Sequence, residues 1–177
     1  LDELGVVDPK EAGDVAYMLA NGQGKTRAGK YGEMRLPARW RLVFLSTGEV
    51  TLESHLASIG KRVKAGQQVR VIDLSADAGA QIGVFNQSHG MNAADLADHL
   101  KQQSRQHYGS LALDWLRYLT QHSAQVRPVF QNVRQRFLAS LPSEADGQVR
   151  RVAEKFALLA SAGLLAIQAE VLDWPTQ

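Results

Sequence analysis

The stretch Trp40-Arg41-Leu42-Val43-Phe44-Leu45-Ser46-Thr47-Gly48-Glu49 constrains this chain most, because four consecutive apolar residues end abruptly at two hydroxyls and a glycine. Leu42 to Leu45 do not alternate with polar residues, which is the pattern of a strand buried on both faces in a parallel sheet covered by helices. Ligands of open α/β sheets bind beyond the carboxyl ends of such strands. Ser46 and Thr47 are then placed to sense a phosphate or a water, or they are ordinary hydroxyls capping the next turn. Val69-Arg70-Val71-Ile72-Asp73-Leu74 reads as a second strand of the core. Arg70 either pairs with a neighbouring acid or points out of the subunit, where a guanidinium stabilises a transferring phosphoryl group on another copy.

Helix signals surround these two runs. Asp8-Pro9-Lys10-Glu11 is a strong start, with Asp8 as N-cap, proline at the first helical position and Glu11 placed to close a capping box. Ala12, Val15, Ala16 and Leu19 follow at helical spacing, and Asn21-Gly22 ends the helix with residues that tolerate a left-handed backbone. Thr51 caps a short helix through Leu52, His55, Leu56 and Ile59, stopped by Gly60. Residues 75 to 91 read as a loop, in which Asp77 and His89 are too isolated to be metal ligands. Beyond it the character is all helix. Asn92 caps a helix from Ala93 to about Gln106, Gly109 separates it from a second carrying Leu111 to Leu119, and a third runs from about Val126 to Leu138. Pro128 is tolerable there only in the first turn. A last long helix starts near Ser143 or Asp146 and has an apolar face with small residues, Val149, Val152, Ala153, Phe156, Ala157 and Ala160. Arg150 and Arg151 lie in its first turns, where cations are disfavoured without an anionic partner or solvation.

Two short motifs carry candidate chemistry. An apolar strand ending in Asp-Glu places the acid by Mg²⁺ and the Glu by an attacking water in nucleotide hydrolases, and Leu1-Asp2-Glu3 fits the close of such a strand; adjacent acids on a surface are the plainer alternative. Gly22-Gln23-Gly24-Lys25-Thr26 ends like a phosphate-binding loop, but the required first glycine is Leu19 and a helix precedes it, so that reading is rejected. From Lys25 to Arg41 the chain has Lys25, Arg27, Lys30, Arg35, Arg39 and Arg41 against the single acid Glu33, with Gly29 and Gly32 around Tyr31. This pattern suggests a β-hairpin whose cations track a phosphate backbone, or a solvated loop with surplus charge.

Composition excludes more than it selects. A net charge of +2 and a pI near 9.0 do not by themselves name a nucleic-acid partner. The chain has no cysteine, hence no disulfide framework or thiolate metal site, which fits a reducing, cytoplasmic setting. No apolar run is long enough to span a membrane. Leu1-Asp2-Glu3-Leu4 lacks the features of a signal peptide, and the chain reads as a fragment.

Laid out in this way, the chain resembles the ATPase domain of the Cch-like predicted helicases of bacterial mobile genetic elements, grouped as domain of unknown function 927. The stretches carrying the resemblance are Leu1-Asp2-Glu3 with Asp8 to Gly13, Tyr17 to Lys25, Trp40 to Glu49, Gly60-Lys61-Arg62 with Ala65-Gly66-Gln67, Val69 to Asp73, and Gly147 to Ala153. The resemblance implies an α/β fold, the C-terminal part of a P-loop NTPase (AAA+ like) core sheet in residues 1–80, followed by an α-helical lid in residues 81–177. It implies a hexameric, ATP- and Mg²⁺-dependent DNA helicase. In it Asp2 and Glu3 form the Walker B pair, with Asp2 the metal residue, Ser46 or Thr47 is sensor 1, Arg70 is the arginine finger, and Arg150 or Arg151 is sensor 2 beside the nucleotide. Lys25, Arg27, Lys30 and Arg35 belong to a DNA-gripping hairpin. No Walker A motif is present, so nothing cradles the phosphates and the isolated chain is expected to bind ATP poorly. The competing expectation is a non-catalytic DNA-binding or assembly module.

Overall fold

The computed structural model describes residues 4–77 and 79–175. It is helical: helix accounts for 53% of the described residues, which form no sheet, only three isolated antiparallel bridges. The expected P-loop NTPase core sheet with a helical lid is therefore corrected. Leu42 to Leu45 run as an exposed, irregular stretch instead of a buried strand. A strand is stable only when neighbours take its backbone hydrogen bonds and cover its faces, and no described segment does either for this one. The second expected strand is lost differently. Residues Ala65–Gln68 form a helical turn, and the N–H groups of Val69, Arg70 and Val71 donate back to Ala65, Gln67 and Gln67, so this apolar run closes a helix.

The chain divides into two compact units, Leu1–Asp73 and Leu74–Gln177. In the first, helix α1 spans Pro9–Asn21, α2 spans Leu52–Ala57 and α3 spans Ala65–Gln68. The start of α1 follows the sequence, with one difference: the Asp8 carboxylate accepts from the Lys10 N–H at 2.9 Å. Thr51 caps α2 by accepting from the Ser54 N–H, and α2 stops at Ala57, two residues earlier than the apolar pattern suggests. Ala12 and Ala16 on α1 meet Leu52 and Leu56 on α2, with Val7, Val63 and Val71 packed around them. The small α1 side chains let the helices approach closely, and His55 reinforces the contact through a 2.7 Å hydrogen bond between Nε2 and the Val7 carbonyl. Gly13 does the same for α3, since a Cβ there would collide with the buried Gln67 amide, whose Oε1 accepts from the Lys64 N–H.

In the second unit, α4 spans Ala93–Gln106, α5 Ser110–Gln121, α6 Ser123–Ala139 and α7 Gly147–Gln168. Asn92 caps α4 as expected, accepting from the Asp95 N–H at 2.9 Å. Helix α6 begins at Ser123, earlier than the sequence suggests, so Pro128 falls in its second turn. It has no N–H to give to the Ala124 carbonyl, and the chain accepts that loss because α6 is held by its packing on α7. Ala153, Ala157, Ser161 and Leu165 recur every four residues along the buried face of α7, and Val133 is the buried residue of α6. The buried Ser161 hydroxyl is satisfied by donating to the Ala157 carbonyl at 2.6 Å. Arg134 and Glu154 form a half-exposed ion pair between the two helices, a contact of at most about 1 kcal/mol.

Gly22 closes α1 with φ +68°, and a Cβ there would strike the Trp40 carbonyl. Gly22→Ala should therefore cost about 1–3 kcal/mol in urea unfolding, whereas Gly24→Ala, with φ negative and only ordinary contacts waiting for a Cβ, should cost less than about 1 kcal/mol.

Candidate nucleic-acid interface

Residues 22 to 40 form an antiparallel excursion from the end of α1. The Gly24 N–H donates to the Ala38 carbonyl at 2.8 Å and the Trp40 N–H to the Gly22 carbonyl at 2.9 Å, which pairs the arms at the base. Nearer the tip, the Arg35 N–H donates to the Arg27 carbonyl at 3.0 Å and the Gly29 N–H to the Glu33 carbonyl at 2.7 Å. Both ladders share one register, in which Gln23 faces Arg39 and Ala28 faces Met34. Between them, Lys25 and Thr26 lie across from Leu36 and Pro37 without ladder bonds; Pro37 has no N–H to contribute.

Opposite residues of an antiparallel pair share a face, so Arg27 sits across from Arg35. Both are exposed, and neither makes an ion pair among the described residues. The one acid of the hairpin is used elsewhere. The Glu33 carboxylate folds over Gly29, where a Cβ would collide with it, and accepts from the Tyr31 N–H at 3.0 Å. It shapes the turn, which Gly32 completes at φ +81°. At the tip the Tyr31 ring is 88% exposed, with Lys30 Nζ 5.9 Å from its centroid. Lys25 is exposed on the first arm. At the base, the Trp40 indole N–H donates to the Leu19 carbonyl at 2.8 Å, and an open cleft is lined by Asn21, Gly22, Gln23, Arg39, Trp40 and Arg41. The structure thus brings Lys25, Arg27, Lys30 and Arg35 onto one projecting element. The contribution of Tyr31 is absent from the charge pattern, although an aromatic between two glycines inside a cationic run was the available signal.

Asp2 and Glu3 lie outside the described residues. Ser46 and Thr47 sit on the exposed stretch, with the Ser46 hydroxyl donating to the Thr47 carbonyl at 3.3 Å. Arg70 has neutral partners in its own unit: its guanidinium lies 4.1 Å from the centroid of the Tyr17 ring, Nε donates to Asn21 Oδ1 at 3.2 Å and Nη1 to the Gly66 carbonyl at 2.7 Å. It fastens α3 to the end of α1. In the second unit, Arg150 Nε donates to the Ala145 carbonyl at 3.3 Å across the start of α7, and Arg151 is exposed. Just before that helix, the Ser143 hydroxyl donates to Glu144 and holds its carboxyl below the usual glutamate range. Among the described residues no three His, Asp or Glu side chains are grouped to hold a metal ion, and no helix is long and apolar enough to cross a membrane.

The family model described as Domain of unknown function (DUF927) matches residues 1–39, a span that holds Asp2, Glu3, α1 and the hairpin up to Arg39. The stretches of resemblance from Trp40 onward lie outside this match. No curated protein matches the chain, and no solved structure does.

The contacts of Arg70 predict a specific coupling. In a double-mutant cycle, Arg70→Met and Tyr17→Leu should show an interaction of about 0.5–1 kcal/mol in chemical unfolding. Arg70→Lys should retain part of the ring contact while losing the forked bonds to Asn21 and Gly66.

Proposed function

We propose that this chain supplies a DNA-binding element to a protein of the DUF927 type, with the hairpin of residues 22 to 40 as the contact. The observation that carries the reading is Arg27 facing Arg35 with no acid beside them. Two like charges directly opposite on a hairpin repel, and an anion received between them removes the cost. Lys25 on the first arm and Lys30 at the tip extend the cationic track, and Tyr31 offers an exposed ring to a base. The test is fluorescence anisotropy with a labelled oligonucleotide over a salt series. Lys30→Glu should weaken binding, more at low salt than at high. Arg27→Gln with Arg35→Gln should flatten the dependence of log affinity on log salt by about 1.4 for single-stranded DNA, two phosphate contacts at about 0.7 each. Equal slopes in the parent and double variant refute the assignment.

A second reading, an ATP-driven helicase motor of mobile-element type working as a homo-oligomer, rests on the adjacent acids Asp2 and Glu3 directly after the apolar Leu1. In that reading Asp2 holds Mg²⁺ and Glu3 orients the attacking water, the two requirements of phosphoryl transfer to water. To serve as an arginine finger, Arg70 would have to exchange Tyr17, Asn21 and Gly66 for a phosphate on a neighbouring copy. In the protein as it occurs naturally, Glu3→Gln should preserve ATP binding and abolish turnover, measured by nucleotide titration and phosphate release. Undiminished turnover removes Glu3 from the chemistry.

A further inference from the structure

Beyond the hairpin base the chain runs from residue 41 to residue 48 without a turn, bend or ladder bond, and every residue in it is exposed. Leu42 is 66%, Val43 69% and Leu45 86% exposed. Among the described residues no backbone hydrogen bond joins Arg41 to Leu45 to another segment. Apolar, β-branched and aromatic residues with unpaired N–H and C=O groups form a strand edge ready to pair with another chain.

The edge has an orientation. The Ala38 carbonyl and the Trp40 N–H are used toward the first arm of the hairpin, so the backbone groups of Arg39 face the other way, as do those of Arg41, Val43 and Leu45 by alternation. It also has a polarity of charge, with Arg39 and Arg41 before the apolar run and Glu49 after it, and none of the three forms an ion pair among the described residues. A segment with cations at one end and an acid at the other is complementary to itself in antiparallel order. Because odd-numbered residues carry the outward backbone groups, two copies pair odd with odd. Centring on Phe44 sets Val43 against Leu45, Phe44 against Phe44 and Arg39 against Glu49, with Leu42 opposite Ser46 and Arg41 opposite Thr47. Centring on Val43 leaves no acid opposite either arginine, and centring on Leu45, although it sets Arg41 against Glu49, puts Val43 against a threonine and Phe44 against a serine, which leaves fewer apolar pairs. The apolar pattern and the charges select one register.

We propose that Arg39 to Glu49 is a self-recognition edge, through which two copies of this chain pair antiparallel about Phe44 as a closed two-fold dimer. The occupant is a second copy because the edge is complementary to its own reverse at its apolar centre, Val43 to Leu45, and at its charged ends, Arg39 and Glu49. The proposal is independent of DNA binding, which is tested at Lys30, Arg27 and Arg35 on the other part of the hairpin.

The experiment is sedimentation equilibrium of the chain from about 1 to 100 µM, the range in which an interface of modest size is expected to dissociate. The parent should show a monomer–dimer equilibrium. Phe44→Lys, which sets two cations face to face on the axis, should leave a monomer with unchanged helical circular dichroism. Glu49→Arg should raise the dissociation constant about tenfold, since it places like charges opposite each other at two symmetric sites, and adding Arg39→Glu should restore it. A monomeric parent over the whole range, a dimer indifferent to Phe44→Lys, open-ended growth beyond the dimer, or failure of the charge swap to restore pairing would each overturn the proposal.

Discussion

The end of α1 is the joint on which the first unit depends. At Gly22 the backbone turns left-handed, which terminates the helix and starts the hairpin in a single step. Trp40 then closes the hairpin back onto the same place, with its indole N–H on the Leu19 carbonyl and its backbone N–H on the Gly22 carbonyl. Leu19 is in the last turn of α1, whose carbonyls lack the usual i+4 donors; its carbonyl accepts from the capping Gly22 N–H at 3.2 Å and takes the Trp40 indole N–H as a second donor. One aromatic residue therefore satisfies a helix end, anchors both arms of an otherwise lightly bonded hairpin, and decides the direction in which its cations project. The stability of the charged tip comes from this base, because the tip itself has only a short ladder and one carboxylate folded over a glycine.

Arg70 works on the neighbouring turn. Its guanidinium spreads over Tyr17 and reaches Asn21 and the Gly66 carbonyl, so the last turns of α1 and the short α3 are tied by one planar, multi-donor group. A lysine has no equivalent, since it is a point charge without a fixed fork. The arrangement compensates for a small apolar core. Ala12, Ala16, Leu52 and Leu56 bury little volume, and polar clamps from His55, Gln67, Trp40 and Arg70 surround them. The second unit uses another economy, a long helix with alanine and serine every fourth residue, against which α6 lies closely enough to hold a proline in its second turn.

Local chemistry was legible in the chain wherever a cap or a stop was involved. Asp8 with Pro9, Gly22, Thr51 and Asn92 act at the helix ends where they were read, and of the two starts offered for the last helix, Ser143 and Asp146, the cap is Asp146, because capping needs only residues within one turn. The boundaries moved where packing intervened. Helix α2 ends before Ile59, which stays exposed, and α6 starts before Val126 because its contact with α7 outweighs the preference of Pro128 for a first turn. The cationic run with glycines was legible as a turn region, and Gly29 and Gly32 indeed flank its tip, but the role of Glu33 was not. A carboxylate among six cations reads as a salt-bridge partner, whereas the closest donor in space is a backbone N–H two residues away.

The two apolar runs show the limit. Sequence by itself determined that Leu42 to Leu45 and Val69 to Leu74 are apolar, bounded by polar residues, and able to extend. Whether they become strands is a property of their neighbours, since a strand's hydrogen bonds are all made with another segment while a helix makes its own. Tertiary structure decided both cases: Val69 to Val71 bond back onto α3, and Leu42 to Leu45 meet no described partner and stay extended and exposed. The same distinction separates the charges from their use. The order of residues placed Arg27 and Arg35 within one basic stretch, but only the hairpin's register, set by Gly22 and Trp40 at its base, brought them face to face.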